Sequence, residues 1–345
     1  MRLLTNARPV LGVLVSLIVF GFPTTSLVAE TPATADRVYV SFTDMPEGVT
    51  SFGAAVVGDT LYTYGGHRGR AHEYAVEYQS DQFRRLKLVA GAEWEELPSG
   101  PRLQGLALLA HGGKLYRIGG FTTHNHKGED EDLRSVADVA RFDPSKNEWE
   151  ALPSLPTPRS SLDGVVLGDR IYVVGGWQLR GKDDEPQWHQ SAYVLDLSRA
   201  ELAWEELPQP PFQRRALSVG VLDGKVYAIG GIMPDGDISM EVDVYDPQSG
   251  EWSKAATLPG EGVEGFGTSA FAANGKLYVS NVAAKVFCLA TGQEAWEEVG
   301  QLKEKRLFHR MVTTADEQLL VVGGAEWMKG KANTVYTVPV AAHDE

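Results

Sequence analysis

The chain has 345 residues, and its hydrophobic content of 43% is that of a globular protein with a sizeable core. Its formal charge of −14 argues against nucleic acid as a partner, because phosphate binding needs a basic surface. A single cysteine, Cys288, leaves no internal disulfide to form, and no cofactor is predicted.

The N-terminus has the layout of a secretory signal peptide. Arg2 and Arg8 precede an apolar run over residues 10–22, and small residues follow, so cleavage is predicted after Ala29 or as late as Ala35. The run is short for a membrane span, although an uncleaved anchor is the alternative. We therefore expect an exported, periplasmic or secreted protein of bacterial type, with no stable membrane insertion after cleavage of residues 1–29.

Five stretches of the chain end an apolar run on two glycines, and a sixth, LYVSNVA, has Asn281 and Val282 at that place. The first of the two positions recurs at steps of 54, 56, 55, 51 and 42 residues. A period near fifty residues predicts a repeat array. The glycine pairs are Gly65 and Gly66, Gly119 and Gly120, Gly175 and Gly176, Gly230 and Gly231, and Gly323 and Gly324.

Each repeat contains the same further parts. After the glycine pair come a loop, a third strand such as VARFDP or VDVYDP, and a tryptophan that often opens the phrase Trp-x-x-Leu-Pro. Four short strands per repeat, with turn signals between them, predict one antiparallel blade. The tryptophans are Trp94, Trp149, Trp204, Trp252 and Trp296.

These motifs together resemble the kelch repeat over residues 37–340. The resemblance implies an all-β fold, a six-bladed β-propeller in a single domain. In such a scaffold the glycines allow the chain to turn where neighbouring blades crowd together, and the tryptophans fill the space between wedge-shaped blades. Both sets of residues are therefore expected to be structural.

The last repeat ends without a tryptophan strand. Phe42, Met45 and Pro46 have the spacing of a Trp-x-x-Leu-Pro phrase near the other end of the chain. The N-terminal strand, residues 38–43, is therefore expected to complete the sixth blade and close the ring, which removes an exposed sheet edge. Residues 341–345 remain as a tail.

Function is expected in the loops on one face of the propeller. The loop that enters the first strand of a blade and the loop between its second and third strands emerge on the same side, here called the loop face. Repeats one to three have 29 or 30 residues between the first glycine and the tryptophan, against 15 in repeat five. Their long loops predict a ligand site walled on one side.

Arginines recur where the chain enters the first strands. Converging on one mouth, they would attract a carboxylate or a phosphate. The alternative is that they cap loop carbonyls or pair with acids of the next blade. The candidates are Arg102, Arg159, Arg214, Arg215 and Arg310.

The loops after the glycine pairs add His67, His124, His126 and Trp177 as ligand-binding candidates. Aromatic rings beside polar groups suit a sugar, a glycan or a peptide. His124 and His126 lack a clear third ligand, and the acidic loops lack complete calcium-site spacing, so no metal is predicted.

A catalytic constellation cannot be assembled from the sequence. The one candidate is Glu264, in the loop entering repeat five, which would act as a general base if burial raised its pKa. The alternative is an exposed acidic loop. Neither a nucleophile-elbow motif nor a phosphate loop is present.

Three functions remain open. The favoured one is a non-catalytic binding or interaction module for a sugar, glycan or peptide, since kelch proteins are often interaction modules. The second follows from a similarity in size, signal peptide and blade number to bacterial sialic acid mutarotases, which implies acid–base catalysis on an anionic sugar. The third is a structural component that recognises another envelope protein. Galactose oxidase chemistry is disfavoured by the blade count and by the position of Cys288 in a third strand.

Overall fold

A computed structural model describes residues 38–326 and 328–340. The predicted signal peptide and the C-terminal tail lie outside the described residues. Within that part of the chain, the strands form six main antiparallel sheets, in chain order. Among these residues, no helix has the length and the apolar character that crossing a membrane requires.

Blades one to three are four-stranded, with the first strand at one edge of each sheet and the fourth at the other. Blade one consists of Gly53–Val57, Thr60–Tyr64, Phe83–Lys87 and Glu95–Glu96; blade two of Ala107–His111, Lys114–Ile118, Val139–Asp143 and Glu148–Leu152; blade three of Asp163–Leu167, Arg170–Val174, Tyr193–Asp196 and Trp204–Glu206.

Blades four and five repeat this order, and blade six has three strands of its own. Blade four consists of Ser218–Leu222, Lys225–Ile229, Val242–Asp246 and Glu251–Lys254; blade five of Ser269–Ala273, Lys276–Ser280, Lys285–Ala290 and Glu297–Gln301; blade six of Arg310–Thr313, Leu319–Val322 and Val335–Val338.

Short elements decorate the loops. Two-stranded ribbons follow the glycine pairs of blades two and three, and a small three-stranded sheet lies beside blade six. The strands are Phe121–Thr123 with Leu133–Ser135, Trp177–Gln178 with Gln187–Trp188, and Arg306–Leu307 with Ala325–Glu326 and Gly330–Lys331; the 3₁₀ helices are Val76–Tyr78 and Gly262–Gly265.

The core is divided among the spaces between blades. The second strands are buried on both faces, as in Arg170–Val174, where four apolar residues follow one exposed arginine. Six apolar clusters result, one between each pair of successive blades and one between blades six and one. The last cluster brings Phe52 and Leu61 of blade one against Leu320 and Val335 of blade six.

The N-terminal segment lies along the last strand of blade six. Ser41 forms a bridge with Tyr336, and the Phe42 N–H donates to Val335 O at 2.9 Å. Three residues later, the Met45 N–H donates to Asn333 O at 2.7 Å.

The repeated tryptophans make one repeated hydrogen bond. The indole N–H of each donates to a backbone carbonyl near the end of the preceding blade or, for Trp94, of the N-terminal segment, so the ring both fills space and joins the two blades. The bonds are Trp94 to Thr43 O at 3.1 Å, Trp149 to Pro98 O at 2.9 Å, and Trp204 to Pro153 O, Trp252 to Pro208 O and Trp296 to Ala256 O at 2.8 Å each.

The glycine pairs sit where two blades leave no room for a side chain. Gly175 has φ +69°, and a Cβ there would lie 2.7 Å from Arg214 O and 2.0 Å from Leu217 Cδ2. Asn281 tolerates the left-handed region better than most residues, so it would be expected to replace the first glycine of blade five in that conformation, but its φ is not positive. The positive φ belongs to Ala284, while the Asn281 side chain accepts the Lys285 N–H at 3.1 Å.

Candidate functional site

The first strands of all six blades surround one cavity of about 300 Å³. Its walls are mainly small and aliphatic residues, with Phe271 of blade five as the aromatic exception. At the end nearer the loop face, the Arg310 side chain lies across it. Arg310 donates to Phe52 O and Leu106 O at 2.9 Å each and to Asp163 Oδ1 at 3.2 Å.

Asp163 was not identified from the sequence, yet its carboxylate links Arg310 to blade four. Its second carboxylate oxygen accepts the Val219 N–H of blade four at 3.0 Å. Burial raises the pKa of Asp163, while Arg310 acts in the opposite direction. The signal available in the sequence is that the first strand of blade three begins with an acidic residue, Asp163. The first strands of blades one, two, four and five begin with glycine, alanine or serine.

The mouth on the loop face is bounded by a repeated turn. Two residues before each first strand, the backbone has a positive φ between 50° and 63°. Gly105 N–H donates to Ser51 O, Ser161 N–H to Gly105 O, and Ala216 N–H to Ser161 O, so neighbouring blades are joined around the rim. The six residues are Ser51, Gly105, Ser161, Ala216, Gly267 and Phe308.

Arg159 and Arg214 lie beneath this rim rather than in the mouth. Arg159 is fully buried and donates to Gly175 O at 2.8 Å and Ser191 O at 2.7 Å. Arg214 donates to Gly230 O at 3.0 Å and forms a buried ion pair with Asp243. Burial lowers the pKa of each arginine to about 10.

These contacts are those of the carbonyl-capping alternative. Arg306 of blade six makes the equivalent bond to Gly323 O at 2.9 Å and is also fully buried. In three blades, therefore, an arginine 16 or 17 residues before the first glycine binds that glycine's carbonyl. Arg102 also stands 17 residues before a first glycine, Gly119, but binds another carbonyl, so the spacing alone does not identify this role.

Arg102 also contacts carbonyls, although its side chain is 39% exposed. It donates to Gln79 O at 3.1 Å, and it forms an ion pair with Asp81 at 3.4 Å. Its charge is therefore already matched by an acid of the same loop region.

Arg215 differs from the other candidate arginines. Its Cζ lies 4.0 Å from the ring centroid of Trp177 and 5.4 Å from that of Trp188. Within the described residues, its guanidinium has no hydrogen bond and no ion pair. Tyr74 lies close enough to interact electrostatically, and burial lowers the pKa of Arg215 to about 10.

The histidine candidates are spread over different environments. His67 is buried with Nε2 2.9 Å from Glu73 O, and burial lowers its pKa to about 4. His126 is exposed, and its contact with Glu77 at 2.9 Å raises its pKa. His124 is also exposed. No cluster of three metal-ligating side chains occurs among residues 38–326 and 328–340.

Glu264 lies in the 3₁₀ helix Gly262–Gly265, on the loop face of blade five. Its carboxylate accepts the Asn281 amide N–H at 2.9 Å. Asn281 replaces the first glycine of the repeat in this blade. The candidate base, Glu264, is therefore bound by the residue at which the glycine pattern is broken. Within the described residues, no hydrogen bond or ion pair joins Glu264 to Arg215.

Comparison with known proteins points to one repeat family. A family model described as "Kelch motif" matches residues 102–156 and 213–259. Mouse Kelch-like protein 35 is 24% identical over 230 residues, which is 67% of this chain and 34% of that protein. The chain likewise spans 34% of the length of the zebrafish Kelch repeat and BTB domain-containing protein 12.

Bacterial relatives are also found. N-acetylneuraminate epimerase of Haemophilus influenzae strain PittEE is 36% identical over 145 residues, 40% of this chain and 34% of that protein. The protein of the same name from Pasteurella multocida is 28% identical over 247 residues, 61% of this chain and 60% of that protein.

The fold has a counterpart among solved structures. The structure of YjhT aligns with a TM-score of 0.69 at 16% identity and covers 87% of this chain and 99% of its own. At that identity the likeness concerns the fold alone. The two kelch-motif matches, the repeated antiparallel sheets and this likeness together identify an all-β fold of the propeller class that contains kelch motifs.

Proposed function

We propose that this protein is an exported binding module that takes a carboxylate-bearing sugar on its loop face, with Arg215 as the anchor. The observation that carries the proposal is that the Arg215 guanidinium has neither a hydrogen bond nor an ion pair within the described residues. It lies against the Trp177 ring, and the described residues offer it no anion. The other four candidate arginines, Arg102, Arg159, Arg214 and Arg310, bind carbonyls or acids.

An acidic sugar fits this combination better than a neutral one. The carboxylate can form a bidentate pair with the guanidinium, and the apolar face of a sugar ring packs on an indole. Because Arg215 is largely screened from water, its charge acts through a lower local dielectric. The relatives called N-acetylneuraminate epimerase carry a carboxylate sugar in their name, which supports the same class of ligand.

Calorimetric titration of the mature protein with N-acetylneuraminate, galacturonate and galactose tests the proposal. We expect the two acids to bind and galactose to bind at least tenfold more weakly. Arg215→Met should weaken acid binding about tenfold or more, since a hydrogen bond to a charged group contributes roughly 1.5–3 kcal/mol. Arg180→Met is the matched control, because it removes an exposed positive charge from the neighbouring loop. Failure of both acids to bind would leave a protein or peptide partner as the better reading.

A second candidate function is catalysis of anomer exchange on the same sugar. The observation favouring it is the 36% identity with the Haemophilus epimerase. NMR exchange spectroscopy on N-acetylneuraminate would detect it as faster interconversion of the two anomers. Glu264→Gln should then stop the acceleration without abolishing binding. An unchanged rate with wild-type protein would exclude this function and leave the binding module intact.

A further inference from the structure

Two tryptophans and Arg215 form a compact group on the loop face. The Trp177 and Trp188 rings lie 5.5 Å apart, tilted by 56°, and the Arg215 guanidinium packs against both. The two tryptophans face each other across the ribbon formed by Trp177–Gln178 and Gln187–Trp188. Arg215 reaches them from the loop that enters blade four.

Two hydrogen-bond donors in this group are buried and unused. Trp177 Nε1 and Arg215 Nε are inaccessible to water and have no acceptor in the described structure. The five repeated tryptophans, by contrast, all donate to a carbonyl. Leaving a buried donor unpaired costs free energy, so an acceptor is expected at such a place.

An unpaired Nε alone would not distinguish Arg215. Arg159, Arg214 and Arg306 also leave this atom without a partner. Their terminal nitrogens, however, bind backbone carbonyls, and they are satisfied in that way. Arg215 lacks such bonds within the described residues, and its guanidinium packs on the ring that carries the second unused donor, Trp177 Nε1.

We propose that Trp177 Nε1 and Arg215 form a two-donor subsite for the ligand's carboxylate, and that the Trp188 side chain covers this subsite until it turns away. The inference rests on the proposed function. It goes further by assigning a donor role to Trp177 and a covering role to Trp188.

The geometry selects a planar anion. The Trp177 indole lies against the Arg215 guanidinium, so an acceptor can approach the guanidinium only from its edge. A carboxylate can approach edge-on with both oxygens in the plane. The Trp188 backbone is held in place, since its carbonyl accepts Gln213 Nε2 at 3.3 Å and the neighbouring His189 Nε2 lies 3.0 Å from Pro158 O. Rotation of the half-buried indole is therefore the movement that uncovers the donors.

The test uses mature protein labelled with 5-fluorotryptophan, which should give one ¹⁹F signal for each of the eight tryptophans. Trp177→Phe and Trp188→Phe assign the two signals of interest. On titration with N-acetylneuraminate, these two signals should move while those of Trp204 and Trp252 stay in place. The methyl ester of the same sugar, which has no carboxylate charge, should move neither.

Affinity gives the second readout. Trp177→Phe keeps an aromatic ring and removes the N–H, so binding of N-acetylneuraminate should weaken roughly tenfold. Trp188→Ala should keep or increase the affinity and accelerate association. If N-acetylneuraminate binds through Arg215 but Trp177→Phe has no effect and the two signals do not move, the subsite is wrong and the proposed function stands. If wild-type protein does not bind the acid at all, both are overturned.

Discussion

Arg310 and Asp163 are 147 residues apart in the sequence and meet across the central cavity, with Nη1 3.2 Å from Oδ1. They open the first strands of blades six and three, and their other bonds reach blades one, two and four. One ion pair thus joins five of the six blades. Because breaking a buried ion pair leaves an unpaired charge, each partner should matter more than an ordinary surface charge.

Arg310→Met and Asp163→Asn should each lower the free energy of unfolding by about 3–5 kcal/mol. The double variant should lose less than the sum, because no charge is left unpaired. Urea denaturation of the three variants measures this. Arg170→Met is the control, since its pair with Asp196 is half-exposed and should contribute less than about 1 kcal/mol. Additive losses in the double variant would show that the two residues are not coupled.

Arg159 and Arg215 should separate stability from binding. Arg159→Ala removes bonds to two buried carbonyls and should destabilise the fold by several kcal/mol, on the order of a few lost charged hydrogen bonds. Arg215→Ala removes a guanidinium without such bonds and should change the free energy of unfolding by about 1 kcal/mol, from lost ring contact. Thermal unfolding compares the two. Equal losses would contradict the structural role of Arg159.

Gly175 and Gly224 form a matched pair for testing the glycine-pair motif. Their φ values are +69° and +70°, so alanine meets the same backbone strain of about 1 kcal/mol at either position. A Cβ at Gly224 would meet open space, whereas one at Gly175 would collide with Arg214 O and Leu217. Gly175→Ala should therefore cost at least about 2 kcal/mol more, by analogy with overpacked cores. Denaturant midpoints measure the difference, and similar midpoints would mean that blade three can relax.

Stability should fall on acidification because of His309. This ring is buried, with Nε2 2.6 Å from Ser280 Oγ, and burial lowers its pKa from 6.5 to about 3. Below pH 6.5 the unfolded chain takes up a proton that the folded chain does not, so stability is lost as the pH falls towards 3. At pH 5 the loss from this group is about 2 kcal/mol.

Denaturation at pH 7, 6 and 5 measures that slope, with His309→Gln as the comparison. The variant should be less stable than wild type at pH 7, since the Ser280 contact changes, but its stability should decline less between pH 7 and pH 5. A parallel decline in both proteins would assign the acid sensitivity to other groups, of which His67 and His189 are the first to consider.

The repeats could be predicted from the sequence because each local signal has a steric cause that recurs. Gly175 shows this for the glycine pairs, and Trp204 for the wedge between blades. Arg159 could not be assigned in the same way. A loop arginine that binds a glycine carbonyl and one that does not look alike in sequence. Arg159 and Arg102 stand 16 and 17 residues before a first glycine, yet only Arg159 binds that glycine's carbonyl.

The centre of the ring was the part that the sequence could not reveal. Asp163 acts through Arg310, and no local pattern connects two residues so far apart. The same holds for Arg215, whose contacts come from another blade's ribbon. Each depends on how the ring brings distant loops together, which the repeat alone does not specify.

The Arg310 bridge has a kinetic consequence. Repeat arrays gain most of their stability from nearest neighbours and can begin folding at any unit. Here the cation that neutralises the buried Asp163 arrives with the last blade, so blades one to five carry an unmatched charge until then. The final step of folding should therefore be cooperative and slow, as expected when contacts are distant in sequence, and partly assembled chains should not accumulate.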